Sequence, residues 1–423
     1  MSTYDNRMLN NRAEFYLKRL IWMLCFILPL LNRPAAYSEI VPPGPARAAA
    51  SETAAAFQSA LDALQQEYGF PGATAACVRR DGTSAVAAAG VADRETGAPM
   101  TVRARMLAAS IGKSFVAATV LALVSEGRLA LDVPVSKWLG DRPWFSRLPN
   151  QRDITLRHLL THSAGLPDHV HSERFAAAVR RRRPVENNPF TPPDLIGFVV
   201  DRPPLFAAGK GWAYTDTGYI LIGLVIEAVI QRDCFAEIKA RFLTPQRLTL
   251  TTAADRRALP GLVAGYTTRD NAFGFPSKTT TAAGVLAWHP GLEWTGGGLV
   301  SNALDLARWG AALFGGNAMP GDYRIDLLDS IPIGPEPADI QYGAGIAVCR
   351  GGPFGPVYGH RGWIPGYTSS LQYYADHGIT IAFQINTDIG MLDESRPIIK
   401  NMETRLAAVL VTAARRSASD GLH

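Results

Sequence analysis

Strand signals stand at both ends of this chain with helical ones between them, and that arrangement limits the fold more than any other feature. Near the amino end a helical pattern over Glu52–Tyr68 leads into two strand-like stretches, Ala73–Arg79 and Thr83–Val91, joined at the turn signal Arg80-Asp81-Gly82. Near the carboxyl end Tyr342–Val348, Tyr367–Tyr374 and Ile379–Gln384 again read as strands. The last two are separated by Asp376-His377-Gly378, and Ile398–Ala414 closes as a helix. The intervening residues are mostly helical patterns broken by Pro- and Gly-rich loops. The spacing predicts an α/β (α+β) fold: an antiparallel sheet built from both termini, about 70–109 and 340–415, flanked by helices, with a mostly helical region, about 115–315, inserted. A single domain over 52–415, followed by a tail at 416–423, suits a chain of 423 residues with no internal repeats.

Composition excludes several classes. Hydrophobic residues at 47 % and charged residues at 19 % are ordinary globular usage, which argues against disorder, collagen-like repeats and coiled coils. The formal net charge of +5 is concentrated at the start, where Arg7, Arg12, Lys18, Arg19 and Arg33 outnumber Asp5 and Glu14. The rest is nearly neutral and offers no electrostatic footprint for nucleic acid. Cys25, Cys77, Cys234 and Cys349 form no CxxC pair, so neither a zinc site nor a disulfide framework is indicated. The run Arg180–Arg183, followed by Pro184 and Asn187-Asn188-Pro189, reads as a solvated helix end and loop.

Basic residues followed by the apolar run Leu20–Leu31 read as an export signal, because the run falls short of the ~20 residues that span a bilayer. Residues 1–36 are expected to be an export signal or membrane anchor and 37–51 a linker. Ala46-Arg47-Ala48 fits small-x-small cleavage but lies far from the run, and no lipid-attachment pattern precedes Cys25. The expected location is periplasmic or extracellular, with membrane association through residues 20–31 where the anchor is retained.

Chemistry concentrates first at Ser110-Ile-Gly-Lys113, the only SxxK in the chain, which opens an apolar helical segment. A serine at a helix start, with an ammonium one turn away on the same face, is a way to activate a nucleophile. The competing reading is a Ser N-cap with a surface lysine, yet a surface lysine is out of place in so apolar a helix. Thr161-His-Ser163-Ala-Gly165 is one residue short of a nucleophile elbow, but Ile154–Leu160 before it reads as a helix where that elbow needs a strand. His158 and His162 stand one helical turn apart, as zinc ligands can. Without HExxH, a satisfied structural pair is the preferred reading.

Several neighbourhoods in register point to a family. Ser110-Ile-Gly-Lys113 with Glu126-Gly-Arg-Leu-Ala-Leu-Asp-Val-Pro-Val, Ile154-Thr-Leu-Arg-His-Leu-Leu-Thr-His-Ser-Ala-Gly-Leu-Pro167, Tyr214-Thr-Asp-Thr-Gly-Tyr-Ile-Leu-Ile-Gly223, Gly296-Gly-Gly-Leu-Val-Ser-Asn-Ala-Leu-Asp-Leu-Ala307 and Gly359-His-Arg-Gly-Trp-Ile-Pro-Gly366 follow one another. Over about 52–415 the chain resembles the serine β-lactamase and DD-peptidase superfamily. It is most similar to the branch holding class C β-lactamases, D-alanyl-D-alanine carboxypeptidases, D-aminopeptidases and β-lactamase-like esterases. The resemblance implies that Ser110 attacks a carbonyl, that Lys113 and Tyr214 act together on its proton, and that the N–H groups of Ser110 and Trp363 form the oxyanion hole. It also implies that His360-Arg361-Gly362 is the edge strand framing the site. His289-Pro-Gly291 fits the same HxG pattern, but its proline suits a loop better.

The chain departs from the family where Tyr-x-Asn is usual and Tyr214-Thr215-Asp216 stands instead. An ionised Asp216 only accepts hydrogen bonds, would hold Lys113 protonated, and would repel a substrate carboxylate. A Tyr214 phenolate would then depend on the Lys113 charge. In the third motif His360 replaces a carboxylate-binding lysine common in β-lactamases, with Arg361 as its expected substitute. The resulting expectation is an exported serine hydrolase with Asp216, His360, Arg361 and Gly362 binding a small-molecule or peptide substrate. That substrate would be a D-amino-acid peptide such as a peptidoglycan stem peptide, or a β-lactam. A carboxylesterase, a catalytically weak peptidoglycan-binding pseudoenzyme and an α/β-hydrolase using Ser163 are the alternatives. No metal or organic cofactor is implied.

Overall fold

Hairpins form where short apolar stretches flank turn residues, and in this chain they meet in one sheet. The computed structural model describes residues 46–182, 189–282, 284–334, 339–391, 393 and 395–420. The expected export segment over 1–36, linker residues 37–45, Arg183, Asn187-Asn188 and residues 421–423 lie outside the described residues. At the amino end β1 (Gly72–Arg79), β2 (Ser84–Asp93) and β3 (Ala98–Pro99) follow helix α1 (Ala46–Tyr68). At the carboxyl end come β4 (Ile331–Pro332), β5 (Ile340–Tyr342), β6 (Ala347–Cys349), β7 (Val357–Ile364), β8 (Tyr367–Tyr374) and β9 (Ile379–Ile385). The nine pair antiparallel in the order β3-β2-β1-β9-β8-β7-β6-β5-β4. The two ends of the chain join at β1 and β9, in the register Cys77↔Ile381. The sheet is thus drawn from both termini, as the strand signals predict.

Alternation along β9 divides the core in two. Ile381, Phe383 and Ile385 pack with Phe57, Leu61 and Leu64 of α1 and with Ile399, Met402 and Leu406 of α6 (Ile398–Asp420). Ala382 joins the opposite layer, where α2 (Gly112–Ser125) and α5 (Ala303–Gly315) lie. There Phe115 stacks on Trp309 at 4.0 Å, and the Trp309 indole donates to Ser114 Oγ at 2.8 Å. The inserted region also supplies α3 (Leu156–Leu160) and α4 (Asp216–Ile230).

Boundaries moved in three places. The α1 helix starts at Ala46, before the amphipathic pattern begins, and α6 runs on to Asp420. The expected strand Tyr342–Val348 is divided into β5 and β6, because Gly345 takes φ +72° to turn the chain between them. A small separate sheet of Met106–Leu107, Leu299–Ser301 and Thr252–Ala253 ties the segment entering Ser110 to the one leaving Gly296-Gly297-Gly298.

Candidate active site

Backbone strain and close packing set the position of Ser110. The Ala108 N–H donates to Leu299 O at 2.9 Å, and Ala109 then takes φ +49°. A left-handed conformation costs a non-glycine residue roughly 1–2 kcal/mol. One turn of 3-10 helix, Ala109–Ile111, carries Ser110 ahead of α2, whose N-cap is Ile111. Ser110 therefore lies one residue before the cap, and its hydroxyl is left for Lys113. Two glycines let neighbouring backbone close on this turn. A Cβ on Gly297 would lie 2.6 Å from the Ala109 carbonyl carbon, and one on Gly362 would lie 2.3 Å from Ala108 O.

Lys113 is fully buried. Its Nζ donates to Ser110 Oγ at 3.1 Å and more closely to Asp216 Oδ1 and Gly296 O. An ammonium carries three N–H donors and no lone pair, so these three acceptors account for a charged lysine completely. The same Nζ lies 4.9 Å from the Tyr214 ring centroid and 5.4 Å from that of Tyr219. Asp216 opens α4 and is 20 % exposed. Its own N–H donates to Asp168 Oδ1 at 3.0 Å. Burial pushes the Asp168 carboxyl upward, but hydrogen bonding to His171 and the nearby positive groups outweigh it and bring the pKa down to about 2.

Tyr214 is buried, and its hydroxyl lacks a partner in hydrogen-bond geometry among the described residues. Burial raises its pKa well above the ordinary phenol value and Asp216 raises it further, with the Ser110 hydroxyl pulling weakly the other way. The resting side chain is a neutral phenol. A phenolate sustained by the Lys113 charge, as the sequence suggested, is not the resting state, because burial and then Asp216 oppose it.

His162, at φ +59°, lies beneath this tyrosine with ring centroids 4.2 Å apart. Its Nδ1 accepts the Thr215 N–H at 3.2 Å, holding the segment that carries Tyr214 and Asp216. Burial, then Lys113, keeps the imidazole neutral. His158 instead completes the capping box of α3 with Thr155, so the two histidines do separate structural work. Among the described residues no group of three or more His, Cys, Asp or Glu side chains could hold a metal ion. Ser163 follows helix α3 and bonds Thr161 Oγ1 at 2.9 Å, which removes the elbow reading. His289 accepts the Gly291 N–H as the N-cap of the short 3-10 helix Pro290–Leu292, so His289-Pro-Gly291 is not a strand motif.

The third motif departs from expectation in three respects. β7 is an interior strand of the sheet and not an edge, although β6 covers it only at Val357–Gly359 and leaves His360–Ile364 open on that side. His360 is not a cation for substrate. Its Nε2 bonds the Tyr342 hydroxyl at 2.9 Å, and burial followed by Lys113 lowers its pKa to about 3. Arg361 is equally unavailable, since strand alternation turns it to the opposite face. There it is 3 % exposed and its Nε donates to Glu403 Oε1 of α6 at 2.8 Å. Gly362 meets the Ser110 turn, and Trp363 continues β7 opposite Thr368 of β8.

Sequence reasoning missed Asp168 as the acceptor at the start of α4, Tyr342 as the partner of His360, and Glu293. The last sits three residues before Gly296 and is brought against Gly297 by the fold. A lone acid beside a glycine run has no spacing that would single it out.

A sheet covered by helices on both faces, with a serine, a buried lysine and a tyrosine converging beside it, defines the β-lactamase-fold serine hydrolases. This chain belongs to the beta-lactamase family, whose profile matches residues 57–400. It is 24 % identical over 312 residues to penicillin-binding protein 4* of Bacillus subtilis (strain 168), covering 71 % of this chain and 64 % of that one. It is 33 % identical over 207 residues to esterase EstB of Burkholderia gladioli, covering 46 % and 50 %. The chain thus spans less than two thirds of the length of either relative. Among solved structures, a D-stereospecific amidohydrolase from Streptomyces sp. superposes with a TM-score of 0.67 at 28 % identity, over 81 % of this chain and 98 % of that one.

Proposed function

We propose that this chain is an acyl-transfer hydrolase whose Ser110 is acylated by amides or esters lacking a carboxylate beside the reacting carbonyl. The observation that carries the reading is the Ser110–Lys113 contact of 3.1 Å, with Lys113 bound in turn to Asp216. Ser110 Oγ forms the bond to the carbonyl carbon. Its proton passes to Lys113 as Lys113 gives one to Asp216, so the lysine stays an ammonium and the carboxylate becomes the acid. Tyr214 is neutral at rest and Lys113 directs its three donors to Ser110, Asp216 and Gly296, which leaves the Asp216 carboxylate as the proton acceptor in contact with the pair. The N–H groups of Ser110 and Trp363 receive the oxyanion. Collapse of the intermediate expels the amine or alcohol, which takes the proton back, and water resolves the acyl-enzyme.

The preference against carboxylates follows from charge. Asp216 faces the site, His360 is neutral, and Arg361 is paired with Glu403 on the far face. The esterase and the D-stereospecific amidohydrolase are relatives whose names fit such substrates. Action on D-alanyl peptides or β-lactams is the second reading, and the penicillin-binding relative favours it. Residues 1–36 we propose to export the body. The test incubates the purified protein with an activated-ester probe and a fluorescent penicillin, then locates the modified residue by mass spectrometry. Ester labelling at Ser110 that exceeds penicillin labelling is expected. Stronger penicillin labelling supports the second reading, and no label on Ser110 overturns both.

A further inference from the structure

We propose that Glu293 seats the ammonium of substrates that carry an amino group next to the reacting carbonyl, which makes α-amino-acid amides and esters the preferred class. The inference rests on the acyl-enzyme reading of Ser110 and adds to it a specificity-determining residue.

Three observations converge. First, the carboxyl is beside the nucleophile turn: the position a Cβ would take on Gly297 is 2.9 Å from Glu293 Oε1 and 2.6 Å from the Ala109 carbonyl carbon. One glycine separates Glu293 from the residue that precedes Ser110. An α-ammonium stands one carbon away from the carbonyl that Ser110 attacks, and Glu293 is the carboxyl that adjoins the turn holding Ser110. Second, Glu293 Oε2 is buried with no hydrogen-bond partner among the described residues. A buried carboxyl oxygen without a partner is costly, and the cost is removed when a donor arrives. Third, the cation at hand is committed elsewhere, because Lys113 directs its three N–H groups to Ser110, Asp216 and Gly296. The charged and titratable groups facing Glu293 are Asp216, Lys113 and Tyr214. A compact ammonium, with three donors of its own, supplies what the site lacks.

Burial, then Asp216, pushes the Glu293 pKa up to about 8, against the opposing pull of Lys113. Glu293 is therefore a neutral acid at neutral pH while no cation is beside it. Binding an ammonium ionises it and releases one proton. The sign follows: kcat/KM for an ammonium substrate climbs as pH rises towards about 8, where Glu293 ionises without cost. It falls once the substrate amine, with a pKa of about 7.7–8.0, loses its own proton. A substrate without the amine lacks this maximum.

The test compares D-alanine p-nitroanilide with its deaminated counterpart, propionyl p-nitroanilide, on the native chain, Glu293→Gln and Glu293→Asp across pH. The native chain is expected to prefer the amine. In Glu293→Gln the ratio of the two kcat/KM values should fall by about tenfold or more, the loss typical of a charged hydrogen bond, and the maximum near pH 8 should disappear. Glu293→Asp retains the charge and should keep part of the preference; it also serves should the glutamine variant not fold. A native ratio that shows no preference, or a ratio and pH profile unmoved in the variants while Ser110 still takes the ester probe, overturns the ammonium seat and leaves the acyl-enzyme reading intact. Failure of the native chain to label at Ser110 overturns that reading itself.

Discussion

Replacing Asp216 by Asn tests the proton path most directly. Asn keeps an oxygen that can accept from Lys113 but removes the charge and cannot take a proton. Lys113 is fully buried and Asp216 is 20 % exposed, so the pair lies between the buried and surface limits. Breaking a fully buried pair costs about 3–5 kcal/mol. With one acceptor retained and the carboxyl partly solvated, a stability loss of about 2 kcal/mol is expected, short of unfolding the protein. The catalytic effect is larger in kind. If the Asp216 carboxylate is the terminal acceptor of the Ser110 proton, its removal should lower kcat/KM on a neutral ester by ~10²–10⁴-fold. Asp216 raises the pKa of both Tyr214 and Glu293, so both should titrate lower in the variant. A substrate with a free carboxylate should lose less than a neutral one, because one repulsive partner is gone. The assay is kcat/KM for matched neutral and carboxylate-bearing esters from about pH 5 to about pH 10, beside denaturant unfolding of both proteins. Full activity of Asp216→Asn on the neutral ester would refute the path and return the role of base to Lys113 or Tyr214. An unchanged charged-to-neutral ratio would remove the argument against substrate carboxylates.

Other substitutions probe the frame around the site. Gly297→Ala places a methyl 2.6 Å from the Ala109 carbonyl carbon, so it should displace the Ser110 turn and reduce ester labelling far more than it lowers the melting temperature. Glu403→Ala removes the buried carboxylate that holds the Arg361 guanidinium at 2.8 Å, and should cost about 3–5 kcal/mol in denaturant unfolding. If Arg361 instead served substrate, discrimination between carboxylate and neutral esters would move with little change in stability. Ser110→Ala should abolish labelling while Ser163→Ala retains it; the reverse pattern would revive the elbow reading. Residues 1–50 fused to a reporter active only after export should deliver it across the cytoplasmic membrane, and a reporter retained inside would refute the export proposal.

Local signals carried the strand hairpins and the nucleophile. The turns at Asp81-Gly82 and His377-Gly378 are legible because Gly82 and Gly378 need positive φ, at +82° and +60°, and few other residues adopt it readily. Ser110 and Lys113 are legible because one helical turn brings them together, a relation that sequence spacing encodes directly. The placement of the sheet from both termini followed from the strand-like stretches and turn signals at the two ends.

Charge and accessibility at the site were decided elsewhere. Arg361 looked free to bind a substrate carboxylate until strand alternation and the docking of α6 gave it to Glu403, an acid 42 residues away. His360 stood among the expected substrate-binding residues until burial beside Tyr342 made it neutral. Tyr214 looked able to ionise until desolvation and Asp216 were both set against it. Glu293 carried no signal at all, because its meaning depends on Gly297 bringing it against the turn that holds Ser110. Sequence by itself determined which chemical groups the chain has and which of them are neighbours along a helix or strand. Which groups keep their charge, and which reach substrate, depends on desolvation and on partners distant in the chain, and only the packed tertiary structure supplies those.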